Sequence, residues 1–326
     1  MSDRNIKLLS VLLPCYNEEN QLPLTIKTLQ EILEDLRVKN YFQEYEIIFV
    51  DDGSTDQSWA VLSEHAANNS SIKALRLSRN FGKESAWLAG INNVHGDCAI
   101  LLDCDLQHPP RYFATMIDLW REGYDVVEGV KSSRGKESFL SRLNAQSFYS
   151  LFKRYTGLDL HNASDFKLLD RKVLDQWQYL GEQNTFFRGM SAWVGFKRTS
   201  FEFEVADRKI GNSRWSLFSL LRLSMNAITG FSAKPLMISA FIGCFLLLLF
   251  FILGIQTLVH WFSGTAIEGF TTVILLQLLI GGAITISIAL TGIYIAQIYN
   301  EVKGRPRYII MDSEGYTEAI KPDKSK

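Results

Sequence analysis

Over the first 130 residues, short runs rich in Val, Ile and Leu alternate with longer stretches whose apolar residues recur at helical spacing. The runs "LLSVLLPCYNE", "YEIIFVDDGS", "IKALRLSRN", "CAILLDCDLQ" and "YDVVEGVK" read as strands. Leu22–Val38 and Asp56–Ala67 read as helices, with Asp56 as the N-cap of the second. Strands alternating with helices predict βαβ units, hence an α/β domain on a mainly parallel sheet flanked by helices. Such sheets bind ligands in the crevice at the carboxyl ends of their strands. Asn17, Glu18, Asp51, Asp52, Asp103 and Asp105 all fall at those ends. No G-x-G-x-x-G follows the first strand and no G-x-x-x-x-G-K-S/T occurs, which argues against a dinucleotide-dependent dehydrogenase and a P-loop NTPase.

The pattern changes near residue 235. Pro235–Phe262 and Phe270–Tyr299 contain no Asp, Glu, Lys or Arg, and each exceeds the roughly 20 apolar residues that cross a bilayer. They predict a two-helix transmembrane hairpin over 235–300, followed by a tail over 301–326. The intervening Ser263–Gly269 carries Glu268 and no base, whereas Arg222, Lys234, Lys303, Arg305 and Arg307 lie on the flanks. The positive-inside rule then leaves the short loop outside, with both termini and the domain at 1–213 in the cytoplasm. Residues 138–155 and 214–231 pair an aromatic and apolar stripe with bases, so interfacial amphipathic helices are expected at 138–155 and 214–234. Hydrophobic residues make up 47% of the chain and charged ones 21%, so the uncharged runs are a local feature and not an average one.

"MSDRNIKLLS" lacks the apolar core of a signal peptide, so export of the large domain is not expected. Four cysteines without a C-x-x-C pair, Cys244 among them in a predicted span, fit a reducing compartment. The net charge of −1 points to no particular partner, and no nucleic acid is expected.

The candidate chemistry centres on "LLDCDLQHPP". If the strand stays extended, Asp103 and Asp105 share one side and Cys104 turns the other way as a small buried spacer. Two carboxylates aimed at one point repel, and a hard divalent cation, Mg²⁺ or Mn²⁺, removes that repulsion while keeping positions for waters and phosphates. Gln107 lies two residues further on and offers another oxygen. The alternative is that one acid caps the turn, with Pro109 and Pro110 ending the strand.

"VLLPCYNEEN", "IIFVDDGSTD", "NFGKESAWLAG" and "LLDCDLQHPP", in this order and spacing, closely resemble family 2 glycosyltransferases of the GT-A fold. "GLDLHNASDFKLLDR", "FFRGMSAWVGF", "ADRKIGNSRWS" and "EVKGRPRY" resemble the bacterial polyprenyl-phosphate glycosyltransferases, relatives of dolichyl-phosphate mannose synthase and of the bactoprenol glucosyltransferases. The resemblance runs along essentially the whole chain, spans included. It implies metal-dependent, inverting transfer from a nucleotide sugar, preferably UDP-linked such as UDP-glucose, to undecaprenyl or another polyprenyl phosphate. The setting it implies is the cytoplasmic face of a bacterial plasma membrane, in cell-envelope glycan modification.

By the same resemblance, Pro14, Tyr16, Asn17 and Glu18 hold the base and ribose, Asp51 and Asp52 continue that site, and Arg79 and Lys83 lie in a segment that closes over the nucleotide. Asp103, Asp105 and Gln107 match the metal site at the donor pyrophosphate. Asp165 matches an acid near the reacting phosphate, usually labelled the base; a helix N-cap before "FKLLD" is its structural alternative. A phosphate monoester has its second pKa near 6, so such an acceptor needs cations more than a base. Lys131, Arg134, Arg142 and Arg208 are the candidates to touch phosphates, with Arg214 beside them. Asp105, Asp165 and Arg208 are the catalytic candidates.

A homo-oligomer, taken as a tetramer, is implied as well, and Gly281-Gly282 would permit close helix contact. Two other functions stand against this one. A processive polysaccharide synthase would carry Gln-x-x-Arg-Trp, but Gly211 stands where the Gln belongs before Arg214-Trp215. A non-catalytic nucleotide-sugar sensor would show decayed motifs, and these motifs are intact.

Overall fold

In a computed structural model of the chain, the described residues are 4–131, 153–157, 164–177, 179, 187–204, 229, 232, 234–264, 269–317 and 320–322. They form two compact units, one of Met1–Leu217 with Gly304–Lys326 and one of Phe218–Lys303. The predicted interfacial segments lie outside the described residues, apart from 153–155, Thr229, Ser232 and Lys234.

The first unit opens with β1 (Leu8–Cys15), α1 (Leu22–Val38), β2 (Glu44–Asp51), α2 (Ser58–Asn68), β3 (Ile72–Leu77), α3 (Lys83–Asn92) and β4 (Cys98–Leu101). A 3₁₀ turn (Pro110–Tyr112), α4 (Phe113–Arg121), β5 (Val126–Lys131), β6 (Lys167–Asp170), α5 (Arg171–Trp177), α6 (Phe187–Trp193) and β7 (Arg198–Phe203) follow. The eight-stranded sheet has the order β7-β5-β6-β4-β1-β2-β3-β8, where β8 is Ile310–Glu314. The pairs β1–β2, β1–β4, β2–β3 and β5–β7 are parallel; β4–β6, β5–β6 and β3–β8 are antiparallel.

This is the mainly parallel, helix-flanked sheet that the alternation predicts. The central strands are buried on both faces, as their unbroken apolar runs require. Helix α1 has the expected bounds and turns Leu22, Ile26, Leu29, Leu33 and Leu36 onto the core.

Four details differ from expectation. Strand β4 stops at Leu101, because Leu106 adopts a left-handed φ of 56° and the Gln107 N–H donates to Asp105 Oδ1, closing a turn. Helix α2 begins at Ser58 with Gln57 at the cap; Asp56 accepts the Ser58 N–H from one position outside it. "FKLLD" continues as strand β6 and not as a helix, so Asp165 is no N-cap. The segment 301–326 holds β8, which covers the outer edge of β3 in register Ala74↔Glu314.

The second unit is α7 (Lys234–Phe262) and α8 (Phe270–Lys303), with candidate membrane spans at Leu236–His260 and Leu275–Lys303. Phe241, Phe250 and Phe251 on α7 and Leu278 and Ile288 on α8 are exposed. Long helices with this apolar, uncovered surface are candidate membrane spans by length and composition. A Cβ at Gly281 or Gly282 would meet open space, so among the described residues neither glycine makes a close helix contact.

Candidate functional site

The chain runs outward from β1 through β2 to β3, then crosses to β4 on the other side of β1. The carboxyl ends of β1 and β4 therefore flank a topological switch point, where open α/β sheets form their ligand crevice. Strand β5 runs parallel to β4, which brings Lys131 to the same edge; β6 runs the opposite way, so the residues just before it, Asp165 and Phe166, also arrive there.

On one side of the crevice, three loops are stitched together. Asn17, at φ 55°, donates its N–H to Ser54 Oγ (2.9 Å), and its Oδ1 accepts the Thr55 N–H (2.9 Å). The Glu18 N–H donates to Ser58 Oγ. Gly53 has φ 68°, and a Cβ there would lie 2.3 Å from the Arg79 carbonyl carbon, so the β2 and β3 loops cross only because it is glycine. Asp52 accepts the Phe81 and Gly82 N–H groups at 2.8 and 2.9 Å; burial pushes its carboxyl up, and those two donors counter the push.

Both Asp52 oxygens are thus committed to holding the loop ahead of α3. Asp51 is fully buried, accepts the Ser54 N–H through Oδ1, and leaves Oδ2 without a hydrogen-bond partner, with Arg76 Nε 3.7 Å away. Burial raises its carboxyl pKa. Tyr16 is exposed and Glu18 half-buried, whereas Pro14 is buried in β1 opposite Val50. Arg79 is exposed, its guanidinium 4.3 Å from the centre of the Phe81 ring.

On the other side lies a chain of alternating charges. Lys83 Nζ is 2.5 Å from Asp103 Oδ1 and 3.0 Å from Asp165 Oδ2. Arg188 grips Asp165 with a fork, Nε to Oδ1 at 2.8 Å and a terminal nitrogen to Oδ2 at 3.0 Å. Burial alone would raise the Asp165 pKa, but Arg188 and Lys83 outweigh it and hold the carboxyl far below the usual range. The Asp103 N–H donates to His108 Nδ1 at 3.4 Å. That ring, stacked on Phe166, is buried and so kept neutral. Cys104 is the buried spacer expected, its carbonyl accepting from Thr25 Oγ1.

Arg188 and Glu84 belong to this site but escape a reading of the sequence. Glu84, next to Lys83, accepts the N–H of Phe187, next to Arg188, so α3 and the start of α6 are joined directly there and, through Asp165, by Lys83 and Arg188. Burial, with Asp165 nearby, pushes the Glu84 carboxyl up to about 7. Beneath α6, the fully buried Lys167 donates to Ser191 Oγ at 2.8 Å and pairs with Glu128 at 3.2 Å, and Arg198 closes on Glu128 at 2.6 Å. A buried pair of this kind fixes where its helix sits. The only signal in the sequence is "FFRG", a lone base directly after two aromatic residues. Arg134, Arg142, Arg208 and Arg214 lie outside the described residues, and Lys131 is exposed at the end of β5.

Among the described residues, no three His, Cys, Asp or Glu side chains converge as a preformed metal cage. A hard divalent ion that keeps waters and shares ligand phosphates needs only one or two protein carboxylates. Asp103 and Asp105 supply those, and the buried side-chain nitrogen end of Gln107 has no hydrogen-bond partner. Amide oxygen and nitrogen are assigned from their surroundings, so this unmatched end is a further potential oxygen donor. The donor set fits such an ion.

Residues 10–177 match the glycosyl transferase family 2 model. An uncharacterized glycosyltransferase of Bacillus subtilis is 37% identical over 312 residues, covering 94% of each chain. The SfII prophage-derived bactoprenol glucosyl transferase of Shigella flexneri is 35% identical over 310 residues, covering 94% of this chain and 98% of that one. Among solved structures, glucosyl-3-phosphoglycerate synthase from Mycobacterium tuberculosis is 20% identical with a TM-score of 0.46, covering 69% of this chain and 79% of that one.

Proposed function

Because this chain belongs to glycosyl transferase family 2, we propose that it transfers a hexose from a UDP-sugar, UDP-glucose foremost, to undecaprenyl or another polyprenyl phosphate at the cytoplasmic face of a bacterial plasma membrane. The observation that carries this reading is the likeness to bactoprenol glucosyl transferases along nearly the full length of both chains. The geometry supplies a matching mechanism.

The donor would lie along the crevice, with its base and ribose over the β1 and β2 loops near Tyr16, Asn17, Glu18 and Asp51. Arg79 and Lys83 flank the phosphates. Asp103, Asp105 and the Gln107 amide would hold a Mg²⁺ or Mn²⁺ ion, which when bound supplies positive charge for the departing nucleoside diphosphate.

The acceptor phosphate is largely dianionic near neutral pH and needs positioning, not deprotonation. Asp165, held ionised by Arg188 and Lys83, is a poor proton acceptor; its role is to keep those two cations in place. Lys131, with Arg134, Arg142, Arg208 and Arg214, provides the remaining positive charge for the acceptor. The acceptor oxygen attacks the anomeric carbon as the bond to the diphosphate breaks, inverting that centre.

Strand β8 supports the membrane arrangement. It follows α8 yet belongs to the sheet that precedes α7, so both ends of the hairpin must emerge on one side of a bilayer. Membranes containing the protein, supplied with undecaprenyl phosphate and radiolabelled UDP-glucose, UDP-N-acetylglucosamine or GDP-mannose, should yield a lipid-linked sugar with at least one donor. No lipid product with any donor would favour the sensor reading.

A further inference from the structure

Lys83 stands at the N-terminus of α3, where the backbone before it is pinned by the hydrogen bonds of Asp52 to Phe81 and Gly82. Its side chain is 43% exposed, so the stem is free to swing while its root stays fixed. The ammonium touches Asp103 and Asp165 together, and Asp165 is already matched by the Arg188 fork. Among the described residues, no cation pairs with Asp105. The carboxylate that Lys83 neutralises beyond Asp165 is therefore one of the two that would hold the divalent ion.

We propose that Lys83 is the resident counter-ion of Asp103 in the ligand-free protein, and that a nucleoside diphosphate draws it away, so that cation and donor load cooperatively. This rests on the donor reading above.

The physical basis is competition for one anion. An ammonium is a compact point charge, and a divalent ion approaching Asp103 must either displace it or accept its repulsion. A diphosphate changes both conditions: it gives Lys83 an alternative anion and gives the ion further oxygens. Coupling of this kind is reciprocal, so the ion must raise nucleotide affinity by the factor by which the nucleotide raises its own.

The test measures Mn²⁺ binding to the full-length protein in detergent by electron paramagnetic resonance, first without nucleotide and then with saturating UDP or GDP. Without nucleotide, Lys83→Met should bind Mn²⁺ about tenfold tighter than wild type, within the roughly 5- to 150-fold span of such couplings. Nucleotide should then add less for that variant than for wild type, and Lys83→Arg, which keeps the charge, should follow wild type. Should Lys83→Met lose its thermal transition, Lys83→Gln replaces it. Equal or weaker nucleotide-free Mn²⁺ binding by the folded neutral variant overturns the role of Lys83. A wild type that binds neither UDP nor GDP refutes the donor reading instead, while the nucleotide-free comparison still decides for or against Lys83.

Discussion

Asp165 is the side chain whose chemistry is most altered by its neighbours: it is held by three charged hydrogen bonds from two cations. Arg188→Lys keeps the charge but loses the fork, and should lower the transfer rate by about 10²-fold, the scale of losing one fixed donor to developing charge. Steady-state assay of lipid-linked sugar, with circular dichroism to confirm folding, checks this. Asp105→Ala should abolish transfer while the protein still reaches the membrane; wild-type turnover in that variant would remove the cation from the mechanism. Glu84 makes a pH prediction. Its carboxyl is raised from 4.5 to about 7 by burial, so the folded protein binds the extra proton between those values. Stability should be highest below about 4.5 as far as this group is concerned, and its contribution should fade as pH rises through 7; Glu84→Gln should flatten that part of a melting-temperature profile. The acids at the strand ends were legible because carboxylates directly after apolar runs are costly without a purpose. Arg188 and Glu84 were not, because their roles arise only when α6 docks on α3, a contact about 100 residues apart in sequence with no periodicity to betray it.

Among elements, the loops matter more than the strands that carry them. The β2 loop is threaded under β3 at Gly53, and Gly53→Ala should cost about 1–3 kcal/mol, read as a lowered midpoint in urea, since both the backbone angle and the 2.3 Å approach forbid a side chain. The first five strands and α1 were readable from period and composition. Strand β6 was not: four residues, "KLLD", are too few to show alternation, and its place between β4 and β5 follows from long-range pairing. Over 103–107 the alternative to an extended form holds, with Asp105 accepting the Gln107 N–H in a turn; the left-handed Leu106 within it is something no rule for a leucine foresees.

At the scale of the whole molecule, the spans interrupt a domain instead of ending it. The expected topology has a direct measurement: Ser263→Cys, in the loop between α7 and α8, should react with a membrane-impermeant maleimide added to intact cells. Cys15, Cys98 and Cys104 are buried in the first unit and should stay unlabelled. Labelling of Ser263→Cys only after the membrane is breached would reverse the orientation. The two long apolar helices themselves were plain in the sequence, because uncharged runs of that length stand out from the rest of the chain. That the sheet resumes after them was hidden, since "IIMDSE" is short, three apolar residues followed by three polar ones, with no alternation to mark a strand.

That returning strand sets an order of events during synthesis. Among the described residues, seven strands and then both long helices are made before the eighth strand, so the flank of β3 stays bare until α8 is complete. A chain that stalls before β8 is made would keep that flank open to the wrong neighbour.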